Sequence, residues 1–316
     1  MLKTRGLAVG LLSAALLSMG SATAWADDGS IVLDFVRHGE SGDMTAINTM
    51  VPGPDLTATG EGQASDLAIA LKHSGIDEIW ASTMVRSQET AAPLADELGL
   101  SIQPLQVGLN EIDAGIFEGA PTNVGDLPLG GALYLLAPAL WTLGLTSVPQ
   151  LGSTDANGIV FDQRVDEAVQ TIYAGSSAGD TDAVFSHEGT IAIWTLMNVN
   201  NPDFPLVLNE LFSTGELLPY TDQVVVDGSP GDWTLVSWDG TPVPQDPGLA
   251  TDLFVDFRSL IEAPQFAVYD IYEALTGNSA TIDAALQTGL GQVDTALAQF
   301  PVAVFDDIVT AFGGTV

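Results

Sequence analysis

The run Ile31-Val32-Leu33-Asp34-Phe35-Val36 constrains this chain more than any other feature. It is mostly apolar and rich in β-branched residues. That composition suits a strand buried on both faces, and such a strand needs helices above and below it. The chain around it supplies them. Residues 60–72 carry Ala64, Leu67, Ala68 and Leu71 at helical spacing, and 78–81 predict a second short strand. Residues 85–98 predict a helix stopped by Gly99, a residue suited to the left-handed turn that ends helices. Residues 100–107 read as extended. Further on, 164–174 reads as a helix, 183–185 as a strand and 190–197 as a helix. Residues 223–226 and 233–238 flank Asp227-Gly228-Ser229-Pro230-Gly231-Asp232 and predict an antiparallel hairpin. Strands alternating with helices predict the α/β class, with a sheet covered on both faces.

Two segments break that rhythm. Residues 130–148 carry no charge and include Leu133-Tyr134-Leu135-Leu136 and Leu140-Trp141; Pro138 and several glycines interrupt them, which argues against a membrane span. The segment is read as an inserted lid or cap near a site, with ordinary core packing as the other reading. After Pro247, the apolar positions Leu253, Phe254, Phe257, Leu260 and Ile261 fall at 3–4 spacing. Phe266, Val268, Ile271, Tyr272 and Leu275 continue that spacing, as do Leu286, Leu290, Val293 and Leu297. They predict amphipathic helices docked on the main domain or on a partner.

Charge narrows the choice of ligand. The chain has 41 acidic side chains against 7 Lys and Arg, a formal charge of −34. Nucleic acid is excluded as a partner, because binding it requires basic groups to neutralise phosphates, and an anionic membrane surface is disfavoured on the same ground. Cysteine is absent, which excludes disulfides and thiolate metal sites. At the N-terminus, Lys3 and Arg5 precede the apolar residues 7–17, and Ala24-Trp25-Ala26 precedes Asp27-Asp28. This pattern predicts a Sec-type signal peptide over 1–26, cleaved after Ala26, and a secreted or cell-envelope location. An uncleaved anchor helix is the alternative. Loss of Lys3 and Arg5 takes the charge from −34 to −36. The basic residues left are Arg37, Lys72, Arg86, Arg164 and Arg258, with His38, His73 and His187. His73, Arg164 and Arg258 are read as structural surface groups, the two arginines in ion pairs.

The scarce cations fall in a pattern. The first strand ends in Arg37-His38-Gly39-Glu40-Ser41, and open α/β sheets bind ligands at the carboxyl ends of their strands. The second strand ends at Ser82, with Arg86 and Thr90 following on one helix face. A third strand-end supplies Ser186-His187-Glu188-Gly189-Thr190. Two arginines and two histidines are thus predicted on one edge of the sheet. Guanidinium forks match phosphate oxygens, a neutral imidazole is a competent nucleophile, and a leaving alkoxide needs a proton donor.

In sequence order, Arg37-His38-Gly39-Glu40, Leu56-Thr57-x-x-Gly60-x-x-Gln63-Ala64, Ser82-x-x-x-Arg86-x-x-x-Thr90, Leu109-Asn110-Glu111-x-x-x-Gly115-x-x-Glu118-Gly119 and Ser186-His187 resemble the histidine phosphatase superfamily, the phosphoglycerate-mutase-like branch with an Arg-His-Gly motif. The resemblance spans residues 31 to about 240. It implies a three-layer αβα sandwich with a mixed, mainly parallel central sheet, here with a C-terminal helical extension, and neither metal nor organic cofactor. The implied domain is 27–247, with an apolar insertion at about 120–160, followed by a helical extension at 248–316. The resemblance also implies roles: His38 as the phosphorylated nucleophile, Arg37 and Arg86 as holders of phosphate oxygens, His187 as a stabiliser of the transferring group, and Glu111 as general acid and then base. Glu40, Ser41 and Glu118 are read either as supports around the phosphate or as purely structural. Two departures stand out. Glu188 follows the second histidine where the family carries Gly or Asp, which makes it a competing proton donor. The Asn expected soon after the first motif has only Asn48, at altered spacing, as its counterpart.

Between Glu118 and His187 the only cation is Arg164. A mutase must grip a second anionic group, so this scarcity favours a phosphomonoester hydrolase acting on a small molecule; the N-terminal pattern makes it an exported one, the resemblance implies that it needs no metal, and the apolar insertion suggests a substrate with an apolar portion. The alternatives are a non-catalytic envelope or binding protein on a phosphatase scaffold, and a mutase or phosphotransferase.

Overall fold

The computed structural model describes residues 29–42, 45–123, 129–275 and 279–313; the expected signal peptide over 1–26 lies outside them. Strand β1 (Ile31–Arg37) is buried along nearly its whole length. It is followed by α1 (Ala58–Leu71), whose Thr57 cap accepts a hydrogen bond from the Gly60 amide. Next come β2 (Glu78–Ala81) and α2 (Val85–Leu98), the latter ended by Gly99 at φ 66°. Residues 100–107 run beside β2, bridged to it at Ile79–Ile102 and Ser82–Gln106. Two short helices, α3 (Leu129–Tyr134) and α4 (Leu136–Trp141), precede α5 (Gly158–Gly175), which Asn157 caps through the Ile159 and Val160 amides. Then follow β3 (Thr181–Ser186), α6 (Glu188–Asn198), α7 (Phe204–Thr214), β4 (Gln223–Ser229), β5 (Asp232–Trp238) and β6 (Thr241–Pro242). The chain closes with α8 (Leu249–Ala274) and α9 (Ser279–Ala311).

The sheet order is β2-β3-β1-β4-β5-β6. The half β2-β3-β1 is parallel, and β4, β5 and β6 extend it antiparallel. Side-chain alternation sorts the strands onto two cores. Leu33, Phe35, Trp80 and Val184 face one core with Phe161 and Val165 of α5 and Ile191 and Trp194 of α6. Val36, Ile79, Ala81, Ala183 and Phe185 face the other with Leu67 and Leu71 of α1 and Ala91 and Leu94 of α2. The result is a three-layer α/β sandwich with a mixed sheet, parallel at its centre.

The uncharged 130–148 segment is built into this frame. Trp141 is fully buried, stacks on Phe161 at 5.6 Å and donates to the Val148 carbonyl. Tyr134 is buried and donates to the Ile112 carbonyl at 2.6 Å, so the segment reaches the neighbourhood of Glu111. The segment is thus anchored in the core by two aromatic residues, one of which bonds the residue after Glu111.

The reading of Arg164 and Arg258 as surface ion-pair formers is corrected. Arg258 is buried and donates to the Leu196 and Val199 carbonyls at 2.6 and 3.0 Å, satisfying the last turn of α6 from α8. Backbone carbonyls at a helix C-terminus have no partner within the helix, and a buried cation answers both their polarity and the helix dipole. Arg164 does pair with Asp155, at 2.7 Å, but it also donates to the carbonyls of Val107, Gly108 and Asn110. It ties the turn before Glu111 to α5. Among the described residues, no helix is long and apolar enough to cross a membrane.

Candidate active site

The C-terminal ends of β1 and β3 sit side by side, Arg37 in register with Ser186. His38 and His187, the next residues along each strand, therefore emerge together, with ring centroids 5.0 Å apart. Arg86 enters from the first turn of α2. Its Nε donates to His38 Nε2 at 3.0 Å and to His187 Nδ1 at 3.3 Å. The Thr90 hydroxyl, one turn on, donates to the Arg86 carbonyl and accepts from the Gly39 amide, locking α2 to the end of β1. All four of Arg37, His38, Arg86 and His187 are buried.

The contacts dictate the tautomers. His38 Nδ1 lies 2.7 Å from the Gly39 carbonyl, which can only accept, so Nδ1 carries the hydrogen and Nε2 presents a lone pair. His187 Nδ1 accepts from Arg86, which leaves Nε2 to donate to Ser82 Oγ at 2.9 Å. Burial, followed by the charges of Arg86 and Arg37, holds the His38 imidazole well below its ordinary pKa. His187 is lowered likewise, by burial and then by Arg86 and His38. Both rings are neutral near pH 7, which suits a nucleophile.

Glu111 lies at the N-terminus of α6. Its Oε1 accepts from the Ile112 amide at 2.9 Å and the Thr190 amide at 3.0 Å, while Oε2 has only the longer Gly189 amide contact at 3.3 Å. Burial raises its pKa above the ordinary carboxylate value, and the amide donors and Arg86 only partly offset this. Oε2 is the less engaged oxygen and the natural seat for a proton. Gly189 leaves room for this carboxylate: a Cβ there would fall 2.7 Å from Glu111 Oε1 and push it aside.

Arg37 is held on its terminal nitrogens. Nη2 pairs with Glu188 and Nη1 with Glu216, each at 3.3 Å, and Nη1 also donates to the Leu218 carbonyl at 2.5 Å. The guanidinium lies over the Tyr220 ring, 4.0 Å from its centroid. Burial opposes the charge of Arg37, yet Glu188 and Glu216 outweigh it and leave the pKa raised. Both oxygens of Glu188 are engaged, Oε2 with Arg37 and Oε1 with the Leu217 amide at 2.6 Å.

The remaining predicted residues take supporting places. Asn48 is exposed and meets Arg86 through its main-chain oxygen, at 3.5 Å. Ser41 is buried in a bridge to Leu56. Glu40 accepts from the Thr57 hydroxyl, and Glu118 accepts from the Thr49 amide and hydroxyl, so both carboxylates fasten loops. Glu216, Tyr220 and the Leu218 carbonyl were not anticipated from sequence. The available signal was the hairpin: once β4 is known to run antiparallel to β1, the residues just before Gln223 must lie beside Arg37.

The sequence model described as histidine phosphatase superfamily (branch 1) matches residues 33–239. The chain belongs to the histidine phosphatase superfamily. The PE-PGRS family protein PE_PGRS11 of Mycobacterium tuberculosis is 48% identical over 299 residues, covering 90% of this chain and 49% of that protein. An uncharacterized protein of the same species, Rv0525, is 41% identical over 92 residues, covering 29% of this chain and 45% of that one. The chain thus spans about half the length of the curated relatives it matches. Among solved structures, a mycobacterial glucosyl-3-phosphoglycerate phosphatase superposes with a TM-score of 0.50 at 18% identity, covering 66% of this chain and 99% of that one. Mycobacterial hydrolase 1 gives 0.52 at 20% identity, with 66% and 98% covered. At such identities the likeness is one of fold. The superfamily match ends before α8, so both long C-terminal helices lie beyond it.

Proposed function

We propose that this histidine phosphatase superfamily member is an exported phosphomonoester hydrolase that works without a metal through a phosphohistidine on His38. The observation that carries the reading is the single Arg86 Nε–H shared between His38 Nε2 and His187 Nδ1, with His38 Nδ1 fixed on the Gly39 carbonyl. A nucleophilic lone pair and a guanidinium meet at one point in a buried site.

The steps follow from the geometry. A phosphate group entering between Arg86 and the imidazoles takes over the guanidinium, freeing the His38 Nε2 lone pair. Attack forms the N–P bond as the bond to the ester oxygen breaks, and protonated Glu111 delivers its proton to that oxygen. Water then attacks phosphorus and loses a proton to the Glu111 carboxylate; the N–P bond breaks, inorganic phosphate leaves, and the site is restored. Arg37, Arg86 and His187 stabilise charge on the oxygens of the transferring group.

Cation supply favours hydrolysis over transfer between two phosphate-bearing positions. Lys72 faces Glu97, Arg164 is held by Asp155 and three carbonyls, and Arg258 serves α6. Arg37 and Arg86 remain for one phosphate. An apolar leaving group is supported by the rim: Thr122 donates to Thr45, and Gly131 to Thr122, which joins the 45–50 loop to α3. That rim exposes Met50, Val51, Leu129 and Leu133. Export rests on the charge and apolar pattern of residues 1–26.

The test is phosphate release from p-nitrophenyl phosphate by the chain from Asp27, with chelator present, beside His38→Ala. Metal-independent release that vanishes in the variant is expected; release that persists in it sinks the proposal. Long-chain alkyl phosphates should be hydrolysed faster than short ones, and equal rates would remove the apolar leaving group. Addition of an acceptor alcohol should leave free phosphate as the main product.

A further inference from the structure

The carboxylates on Arg37 do something that phosphate binding alone would not call for. In a site meant for a phosphate dianion, two acids 3.3 Å from a phosphate-binding guanidinium are electrostatically costly. Their placement gives the reason. Glu188 and Glu216 occupy the terminal nitrogens, the Leu218 carbonyl takes a further Nη1 hydrogen, and Tyr220 covers one face. What remain are one Nη2 hydrogen and Nε, and Nε is buried and without a hydrogen-bond partner. An unpaired N–H in a buried guanidinium is expensive unless a ligand completes it.

The backbone that carries Glu216 is fixed, not adaptable. Gly215 ends α7 at φ 89°, turning the chain back toward β1. Leu217 donates to Glu188, and its carbonyl accepts from the Trp238 indole. Thr221 donates to the Arg37 carbonyl, and the Arg37 amide donates to Asp222. The strap from 215 to 222 is thereby stitched to α6 and β5 at Leu217, just after Glu216, and to the end of β1 at Thr221 and Asp222, just after Tyr220.

We propose that Glu216, assisted by Glu188, is a positioning residue that turns the Nε edge of Arg37 toward the bound phosphate. The inference rests on the phosphohydrolase reading. It differs from a competing view in which the two acids merely vie with phosphate for Arg37, and the two views predict opposite signs. If Glu216 positions Arg37, its removal frees the guanidinium to rotate and phosphate binds more weakly. If it competes, removal strengthens binding.

The experiment is calorimetric titration of the parent, Glu216→Ala and Glu216→Gln with inorganic phosphate, alongside kcat and KM for p-nitrophenyl phosphate. Glu216→Ala should weaken phosphate binding about tenfold and raise KM to match, the usual scale for a charge-assisted contact. Glu216→Gln keeps an acceptor for Nη1 and should bind within about threefold of the parent. A merely structural role would lower the melting temperature of both variants without this split. Binding in Glu216→Ala as tight as the parent's, or tighter, overturns the proposal, and so does a Gln variant as weak as the Ala variant. Should Glu216→Ala fail to fold, Glu188→Ala against Glu188→Gln reads the same split on Nη2, and no split there overturns it. A parent that binds no phosphate overturns the phosphohydrolase reading and this inference with it; a parent that binds phosphate while Glu216→Ala loses nothing overturns this inference alone.

Discussion

The strand-end site and the α8–α9 hairpin are both acid-rich helical surroundings, and they are built in opposite ways. At the site most buried polar groups are matched: Glu111 has three amide donors, Arg86 two imidazoles, and Glu188 both an amide and a guanidinium, the exceptions being Arg37 Nε and the Tyr220 hydroxyl. In the hairpin, α9 touches α8 closely where Gly289 meets Ala267 and where Phe257 meets Phe300, yet Leu290, Phe305 and Phe312 are more than half exposed. A groove of about 600 Å³ runs between the helices, lined by Asp256, Ser259, Gln292 and Thr295 among others. Asp256 and Asp307 lie beside one another, each with a buried oxygen that finds no donor. The difference lies in where the few cations sit. After Arg258, which offsets Glu262, the sequence has no Lys or Arg, so the later carboxylates of the tail have no cation following them in the chain.

Five outcomes would break or sharpen that contrast. The largest belongs to the site: His38→Ala should lower p-nitrophenyl phosphate turnover by about 10⁴-fold or more, with the melting temperature little changed. Next, Glu111→Gln should lower kcat/KM for alkyl phosphates by about 10²–10⁴-fold, and for p-nitrophenyl phosphate much less, because kcat/KM reports formation of the phosphoenzyme and nitrophenolate needs no proton to leave. Equal losses on both esters would remove Glu111 as the acid. Where the two regions meet, Arg258→Ala should cost about 2–4 kcal/mol by leaving the Leu196 and Val199 carbonyls unpaired, and should make the tail sensitive to protease while activity survives. Loss of activity in step with the tail would show that the hairpin supports the site.

The fourth outcome concerns pH. Burial raises Asp34 to about 7, Glu262 to about 7 and Asp162 to about 8, the last with a contribution from Asp166. Raised acids hold protons in the folded state that the unfolded chain releases. Their stabilising effect is complete below the ordinary carboxylate range and is lost as pH climbs through 7 and 8. The melting temperature should therefore fall between pH 5 and pH 8; a rise would contradict the assignment. The smallest effect is in the hairpin, where Asp256 is raised to about 6 by burial and then by Asp307. Asp307→Asn should lift the melting temperature by no more than about 2–3 °C at pH 7 and leave it unchanged at pH 4.

Local patterns were the legible part of this chain. The strands at 31–37 and 78–81, helix α2 with its Gly99 stop, and the hairpin at 223–238 are written in periodicity and turn residues. So was the gathering of Arg37, His38, Arg86 and His187, because strand ends of a parallel sheet share one edge. Helix α7 went unread: it is short, opens on Phe204-Pro205 and buries only Val207. Glu216 and Tyr220 went unread for another reason. Nothing near them in sequence announces Arg37, and only the pairing of β4 with β1 brings them to it. Arg258 misled because a lone cation among acids suggests an ion pair, whereas its partners are carbonyls, which no side-chain pattern reveals.

The hydrogen bond from Arg37 to the Leu218 carbonyl joins residues 181 positions apart. Closing so distant a contact is entropically late, and it cannot precede synthesis of the second partner. A nascent chain thus carries the Arg-His-Gly motif long before Arg37 has its partners. The pocket proposed here closes only once the segment through Tyr220 has been made and has folded back onto the first strand.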